Sequence, residues 1–526
     1  MKVISLLLRP VFIFLILFSC TSKPEESSYE EKSTTSFSST YQPPIFKNDQ
    51  RKEKIEGIAP QLQKLMEDYA KQNNIPGIAY GIVVDNELVV SDAVGFLEVS
   101  SETPATTTAA YRIASMSKSF TAMAILKLRD EGKLSLHDPV SKYIPEFDQT
   151  TYLTKDSPII DIENLITMTA GFPEDNPWGD RQLDEPNQML LDLMSDGLSL
   201  SNPPSLYYEY SNTGFAMLGY IIEQVSGKPY QAYIKDEILS PLGMTHSYWE
   251  IDEVPTGELV IGYRWEDEEW KLEPMLHDGA FGSMGGLITS IEDFSKYVSF
   301  HLSAWPPRSE EESGPIKRSS LREMHTPQFP RLYPNATNYN DEPCPRMAGY
   351  GYGLGIYQDC NNRKWVSHGG ALPGFGSNYV FYPEYGVGIM AFCNLTYTTP
   401  WPLKEIEKIL FNELGIQPRT LPVSTILETR KEQVAKIFMQ ETAGFEVGIF
   451  AENFFLDQDK DHRTAGLMKV LDQAGKINST TELEPQNQLR GTFKLIGEKG
   501  DILVFFTLTP EKDPKVQQLD YVFQEK

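Results

Sequence analysis

Histidine and cysteine are scarce in this chain, seven and four in 526 residues. There is no HExxH, and the cysteine spacings match no zinc site, so the sequence makes no case for a metal centre. Basic residues are outnumbered, 47 Lys and Arg against 73 Asp and Glu, for a formal net charge of −26. That balance excludes a nucleic-acid partner, which wants a basic face, and describes a well-solvated acidic surface. No G-x-S-x-G is present, which excludes an α/β-hydrolase nucleophile elbow, and no S-D-N is present either. Internal repeats are absent. What the chain does have is core material: 40% of its residues are hydrophobic and 11% aromatic, at a length that allows two or more domains.

The N-terminus reads as an address rather than as fold. Lys2 and Arg9 precede the apolar run Val11–Phe18, too short to span a bilayer but suited to a signal-peptide core. "LFSC", Leu17 to Cys20, resembles a bacterial lipobox, which implies lipidation of Cys20; ordinary secretory cleavage is the alternative. Residues 21–54, rich in Ser, Thr, Glu and Pro, have too few apolar side chains to fold and read as a flexible tether. The expected location is outside the cell's inner compartment, at the periplasmic or cell-surface side of a membrane, held by a lipid anchor. Such a compartment permits disulfides. Cys344 and Cys360 flank "GYGYGLGIYQ" and are placed to staple it, while Cys393, in the apolar "IMAFC", is expected buried and free.

Helical periodicity runs over 55–73, and 77–96 reads as a β-hairpin turning at Asp85-Asn86. A helix follows from Ser115 to Glu131, stopped by Gly132. From about 133 to 340 the chain reads as loop-rich and mostly helical. Strands return at "KWVSHGG", "SNYVFY" and "VGIMAFCN", the last two joined by a turn at Pro383–Gly386, and a helix at 402–414 follows. Strands that come as hairpins make an antiparallel sheet, not a doubly wound one. The expected fold is therefore α/β in the α+β sense: an antiparallel sheet flanked by helices, with a large helical insert, over 55–415. A linker at 416–424 leads to a small α+β domain over 425–526, with strands at "QLRGTFKLIGE", "DILVFFTLTPE" and "KVQQLDYVF".

Within "YRIASMSKSF", Ser115 and Lys118 stand three residues apart at a helix opening and so share a face. A serine hydroxyl is a poor nucleophile until a base takes its proton, and a buried lysine with a lowered pKa can be that base. The positive end of the helix dipole also favours an anion at Ser115. In "YYEYSNTGF", Tyr210 and Asn212 sit on the turn into another helix. There Tyr210 can share proton transfer and Asn212 can bind a substrate amide; equally, Asn212 can be a helix cap and Tyr210 a half-buried ring. In "VSHGGALPGFGS", His368 ends a strand and is followed by Gly369 and Gly370, which let a ligand or backbone approach closely.

S-x-x-K, then Y-x-N, then H-G-G, in that order, resembles the serine β-lactamase-related family: class C β-lactamases, D,D-peptidases, D-aminopeptidases and related esterases. "EGKLSLHDPV", "NLITMTAGF", "PLGM", "GSMGGLITS" and "YGYGLGIY" fall in the same order, and the resemblance covers about residues 55–414. It implies Ser115 as acylated nucleophile, Lys118 as its proton acceptor and Tyr210 as relay to the leaving group. It also implies Asn212 orienting the acyl chain, His368 lining the site opposite the serine, and an oxyanion hole from the backbone N–H groups of Ser115 and Ala371. The implied substrate is a small molecule or peptide with an amide or ester bond, and no cofactor is implied. One departure stands out. A β-lactamase has a Lys-Thr pair where this chain has His368 and Gly369, so the grip on a free substrate carboxylate is weakened. With an ordinary pKa of about 6.5, His368 would also make activity change between about pH 5.5 and 7.5.

Overall fold

The computed structural model describes residues 36–439, 444–445 and 448–525. The leader at 1–20, with Cys20, and the first part of the tether lie outside the described residues.

Two helices, α1 (Arg51–Gly57) and α2 (Ala59–Gln72), precede strand β1 (Gly77–Val84). All eight residues of β1 are buried. Side chains alternate across a strand, and here both faces are covered. Ile78, Tyr80, Ile82 and Val84 join one hydrophobic core, while Ala79 and Val83 join the other. That is why the segment reads as a continuous apolar run instead of an alternating one. Asp85 takes a left-handed turn (φ 51°) and returns the chain as β2 (Glu87–Glu98).

The sheet is completed by β3 (Thr103–Pro104), β4 (Gln328–Tyr333), β5 (Arg346–Tyr350), β6 (Gly355–Gln358), β7 (Lys364–Leu372), β8 (Phe375–Tyr382) and β9 (Val387–Cys393). Its nine strands run β3-β2-β1-β9-β8-β7-β6-β5-β4, antiparallel throughout. The first and last thirds of the chain thus meet at β1 and β9, where Ile78 pairs with Cys393 and Val84 with Val387. α2 covers one face and α5 (Ile291–Ser303) the other. Between them the insert packs α3 (Ser117–Asp130) against α4 (Asn212–Ser226). Beyond the sheet, α6 (Thr425–Phe438) and α7 (Lys460–Ala474) cover a five-stranded antiparallel sheet that includes β10 (Arg490–Gly497), β11 (Gly500–Leu508) and β12 (Val516–Glu525). Here burial does alternate along the strands, around a third apolar core.

Three expectations need correction. Residues 45–54 are not tether. Ile45 exchanges backbone hydrogen bonds with Thr420, and Arg51 is buried against Asp49 (2.7 Å) and Asp85 (2.5 Å). Arg51 and Arg419 both stack on Phe46, at 3.3 and 4.4 Å from its ring centre. Composition hid this because the partners that tie the segment to the fold, Asp85, Arg419 and Thr420, come from distant sequence. The stretch before residue 340 also holds a strand, β4, which continues with β5 and β6 as one edge of the sheet. β4 is mostly exposed and lacks the alternation that marks a strand. Finally, the helix does not begin at Ser115: a single 3-10 turn, Ala114–Met116, precedes α3. Cys344 and Cys360 do form a disulfide, and Cys393 is a buried free thiol.

Candidate active site

Ser115 sits on the 3-10 turn that leads into α3, behind Ala114, a buried non-glycine residue at φ 50°. A left-handed residue with a Cβ is strained, and such strain collects where a side chain must be aimed. One turn on, Lys118 is fully buried. Its Nζ lies 3.0 Å from Ser115 Oγ, 2.7 Å from Asn212 Oδ1 and 2.9 Å from the Met284 carbonyl oxygen. The two carbonyl oxygens can only accept. A neutral amine therefore gives its two N–H groups to Asn212 and Met284, and its lone pair faces Ser115. Burial lowers the Lys118 pKa to about 7, against the opposing pull of Asp180 and Asp175. A neutral amine, able to accept a proton, is thus available near neutrality.

α4 supplies the second wall. Ser211 caps it by accepting from the Gly214 N–H at 3.1 Å, and Gly227 ends it in the left-handed region. The Asp175 carboxylate accepts from the N–H groups of Asn212 (2.6 Å) and Thr213 (2.8 Å), a negative charge at the positive helix end. So Ser211, not Asn212, is the cap. Nor is Asn212 free to hold an acyl chain: it is fully buried, and its amide nitrogen donates to Asn176 (3.1 Å) and Asp180 (3.4 Å). In this structure it holds the Lys118 amine. Tyr210 lines the same cleft as Ser115, and burial keeps its phenol well above the ordinary range. It is a neutral O–H at any physiological pH.

β7 closes the site from the sheet. A Cβ on Gly370 would lie 2.2 Å from the Ile113 carbonyl oxygen and 2.3 Å from Ser377 Oγ, so only glycine lets β7 approach the serine turn. His368 is buried, with Nδ1 2.6 Å from the Gly369 carbonyl oxygen and Nε2 3.0 Å from the Tyr350 hydroxyl. Nδ1–H donates and Nε2 accepts. Burial and, secondly, the charge of Lys118 lower the His368 pKa to about 4. The expectation of a histidine titrating between pH 5.5 and 7.5 is therefore wrong: the imidazole is neutral throughout that range.

Ser115, Tyr210, His368, Gly369, Gly370 and Ala371 line one cleft of about 420 Å³, with Lys118 and Asn212 beneath it. Sequence reasoning missed Asp180, which also lines the cleft, is buried, and has its pKa raised by burial against the pull of Lys118. It stands in "PWGDRQ", a loop with no motif around it. Met284 was within reach, in "GSMGGLITS", but its contribution is a backbone carbonyl, which no residue type announces.

Antiparallel sheet, helical insert and a serine with a buried lysine together define a β-lactamase-like serine hydrolase architecture. The model of the family named Beta-lactamase matches residues 62–410, and the chain belongs to that family. Protein flp of Staphylococcus aureus (strain N315) is 28% identical over 380 residues, 71% of this chain and 70% of that protein. Beta-lactamase-like protein 2 of Dictyostelium discoideum is 27% identical, covering 96% of this chain and 90% of its own. Among solved structures, the octameric penicillin-binding protein homologue from Pyrococcus abyssi shares the fold, with a TM-score of 0.56 at 22% identity over 88% of this chain and 98% of that one.

Proposed function

We propose that the protein hydrolyses an amide or ester through an acyl-enzyme on Ser115. The observation that carries this reading is the buried Lys118 amine 3.0 Å from the Ser115 hydroxyl. Neutral Lys118 takes the Ser115 proton as Oγ bonds to the substrate carbonyl carbon. The displaced electron pair collects on the carbonyl oxygen, toward the backbone N–H groups of Ser115 and Ala371. Tyr210 passes a proton to the leaving nitrogen or oxygen as its bond to carbon breaks and takes in exchange the one held by Lys118. Water then attacks the acyl-enzyme, its proton returns through the same groups to Ser115, and the acid leaves. One water is consumed per bond, and no cofactor enters the scheme.

A neutral His368 beside Gly369 supports substrates that carry no free carboxylate at that point, such as esters or D-amino-acid amides. Export and a lipid on Cys20 belong to the same proposal. Among the described residues no helix is long and apolar enough to cross a membrane.

Intact mass spectrometry with a fluorophosphonate and with a penicillin, beside Ser115→Ala, tests the chemistry. A Ser115-dependent fluorophosphonate adduct is expected; its absence in folded protein overturns the proposal. A long-lived penicillin adduct would instead indicate a penicillin-binding protein with little turnover. Labelling of cells with a palmitate analogue, lost in Cys20→Ala, tests the anchor.

A further inference from the structure

Next to the catalytic cleft lies a larger groove, about 630 Å³. Tyr208, Tyr350, Gly355 and Tyr357 line both, so the two are continuous. The passage between them is a row of rings: His368 against Tyr350 (5.8 Å between centres), then Tyr350 against Tyr208 (5.4 Å). Further out the groove is walled by Leu206, Tyr207, Phe329 and Tyr333, which stay 56, 61, 42 and 43% exposed. Large apolar side chains left open together mark a binding surface.

One charged side chain lines this groove, Arg331, and no carboxylate does. Among the described residues Arg331 has no ion pair; its guanidinium lies 5.9 Å from the ring centre of Tyr333. Arg346 stacks behind, 6.0 Å from Tyr333 and 5.8 Å from Tyr357. An unpaired cation in an aromatic groove contrasts with a net charge of −26 for the chain. β4, which carries Phe329 and Arg331, is the open edge of the main sheet, but Pro330 in its middle has no N–H. Adding a peptide strand to that edge is therefore disfavoured, and recognition falls to the ring faces and to the guanidinium.

We propose that this groove is the subsite for an extended apolar arm of the substrate that ends in a carboxylate, with the arm lying along the tyrosines and the carboxylate meeting Arg331. A carboxylate matches the two-pronged guanidinium of a single arginine. The inference rests on the hydrolase reading above, since it places the arm on the molecule that Ser115 attacks. It also differs from the usual carboxylate grip of a Lys-Thr pair: the anion sits at the far end of a second cavity, away from His368.

The test uses two ladders of 4-nitrophenyl esters, straight-chain alkanoates and monoesters of straight-chain dicarboxylic acids of equal length. A third ladder carries the long, carboxylate-ended chain on the alcohol side of an acetate ester. KM should fall about two- to four-fold per added methylene while the groove fills, on whichever side of the bond the arm occupies. Arg331→Gln should raise KM for the carboxylate-ended ester about ten-fold more than for the neutral ester of equal length. Arg331→Glu should reverse the preference toward ammonium-ended esters. KM independent of chain length in every ladder, or an Arg331 effect equal on charged and neutral chains, overturns the proposal. Failure of the hydrolase reading looks different: no ester, acetate included, is turned over. In that event calorimetric titration of Ser115→Ala with the dicarboxylic monoesters decides the groove by itself. Binding that tightens with length and weakens in the Ser115→Ala, Arg331→Gln double variant supports it, and no binding overturns it.

Discussion

The Lys118 amine and the Asn212 side-chain oxygen lie 2.7 Å apart, both fully buried, joining α3 to α4 beneath the nucleophile. Asn212 fixes where the amine's hydrogens point and so where its lone pair points. Asn212→Ala should therefore lower kcat for an ester by about 10²-fold or more, the usual range for a misplaced general base. KM should change little, because Asn212 does not line the cleft. A large rise in KM at unchanged kcat would mean that the amide binds substrate after all.

The pH profile should have a limb in the neutral range, set by Lys118 together with the buried Asp180 carboxyl that interacts with it. The reactive form is the neutral amine, so the acylation rate should rise with pH through about 7 and then level off. Asp180 raises the Lys118 pKa by its charge. Removing that charge in Asp180→Asn should make the amine easier to deprotonate and move the limb to lower pH. Stopped-flow acylation across pH 5–9 reads both. A limb that stays in place would show that Asp180 is uncharged in the working enzyme.

Three buried histidines set a separate dependence, on stability. Burial lowers the pKa of His301 to about 3, of His325 well below the ordinary value, and of His368 to about 4. The unfolded chain takes protons near pH 6.5 that the native protein refuses. Their contribution is fully present above about pH 6.5 and is lost as pH falls below it, by up to about 1.4 kcal/mol per pH unit for each histidine. Urea midpoints measured from pH 7.5 to 5 should fall accordingly, and less steeply in His301→Gln. His301 and His325 share a hydrogen bond at 2.8 Å and act as a pair.

Much of this was legible in the chain itself, for definite reasons. The strands β8 and β9 carry short apolar runs joined by a turn, and Ser115, Lys118 and Tyr210 stand in spaced motifs. The places of Cys344 and Cys360 flanking one short segment allowed a bridge, and the structure forms it. What stayed hidden depends on partners far away in sequence. Asp180 is one acid among many until the fold sets it behind Asn212. The protonation of His368 is decided by burial and by the charge of Lys118, which its neighbours in sequence do not reveal. The packing of Phe46 between Arg51 and Arg419 joins the two ends of the main domain, and a local window sees only polar text.

Gly370 offers a structural check. Because a Cβ at this position would stand 2.2 Å from the Ile113 carbonyl oxygen, Gly370→Ala must push β7 away from the serine turn. Overpacking of this kind costs about 1–3 kcal/mol. The variant should show that loss in urea unfolding, together with slower fluorophosphonate labelling of Ser115. Full labelling at wild-type stability would mean that β7 and the turn are not tightly coupled.

The fully buried amine has a thermodynamic side as well. A lysine in free solution keeps its proton up to about pH 10.4. Folding makes Lys118 give it up near pH 7, and each tenfold of that lost affinity weighs about 1.4 kcal/mol against the native state. The fold is thus held together in spite of the amine proposed as its base. An isosteric apolar replacement, Lys118→Met, trades reactivity for robustness: a silent protein that should melt at a higher temperature than the active one.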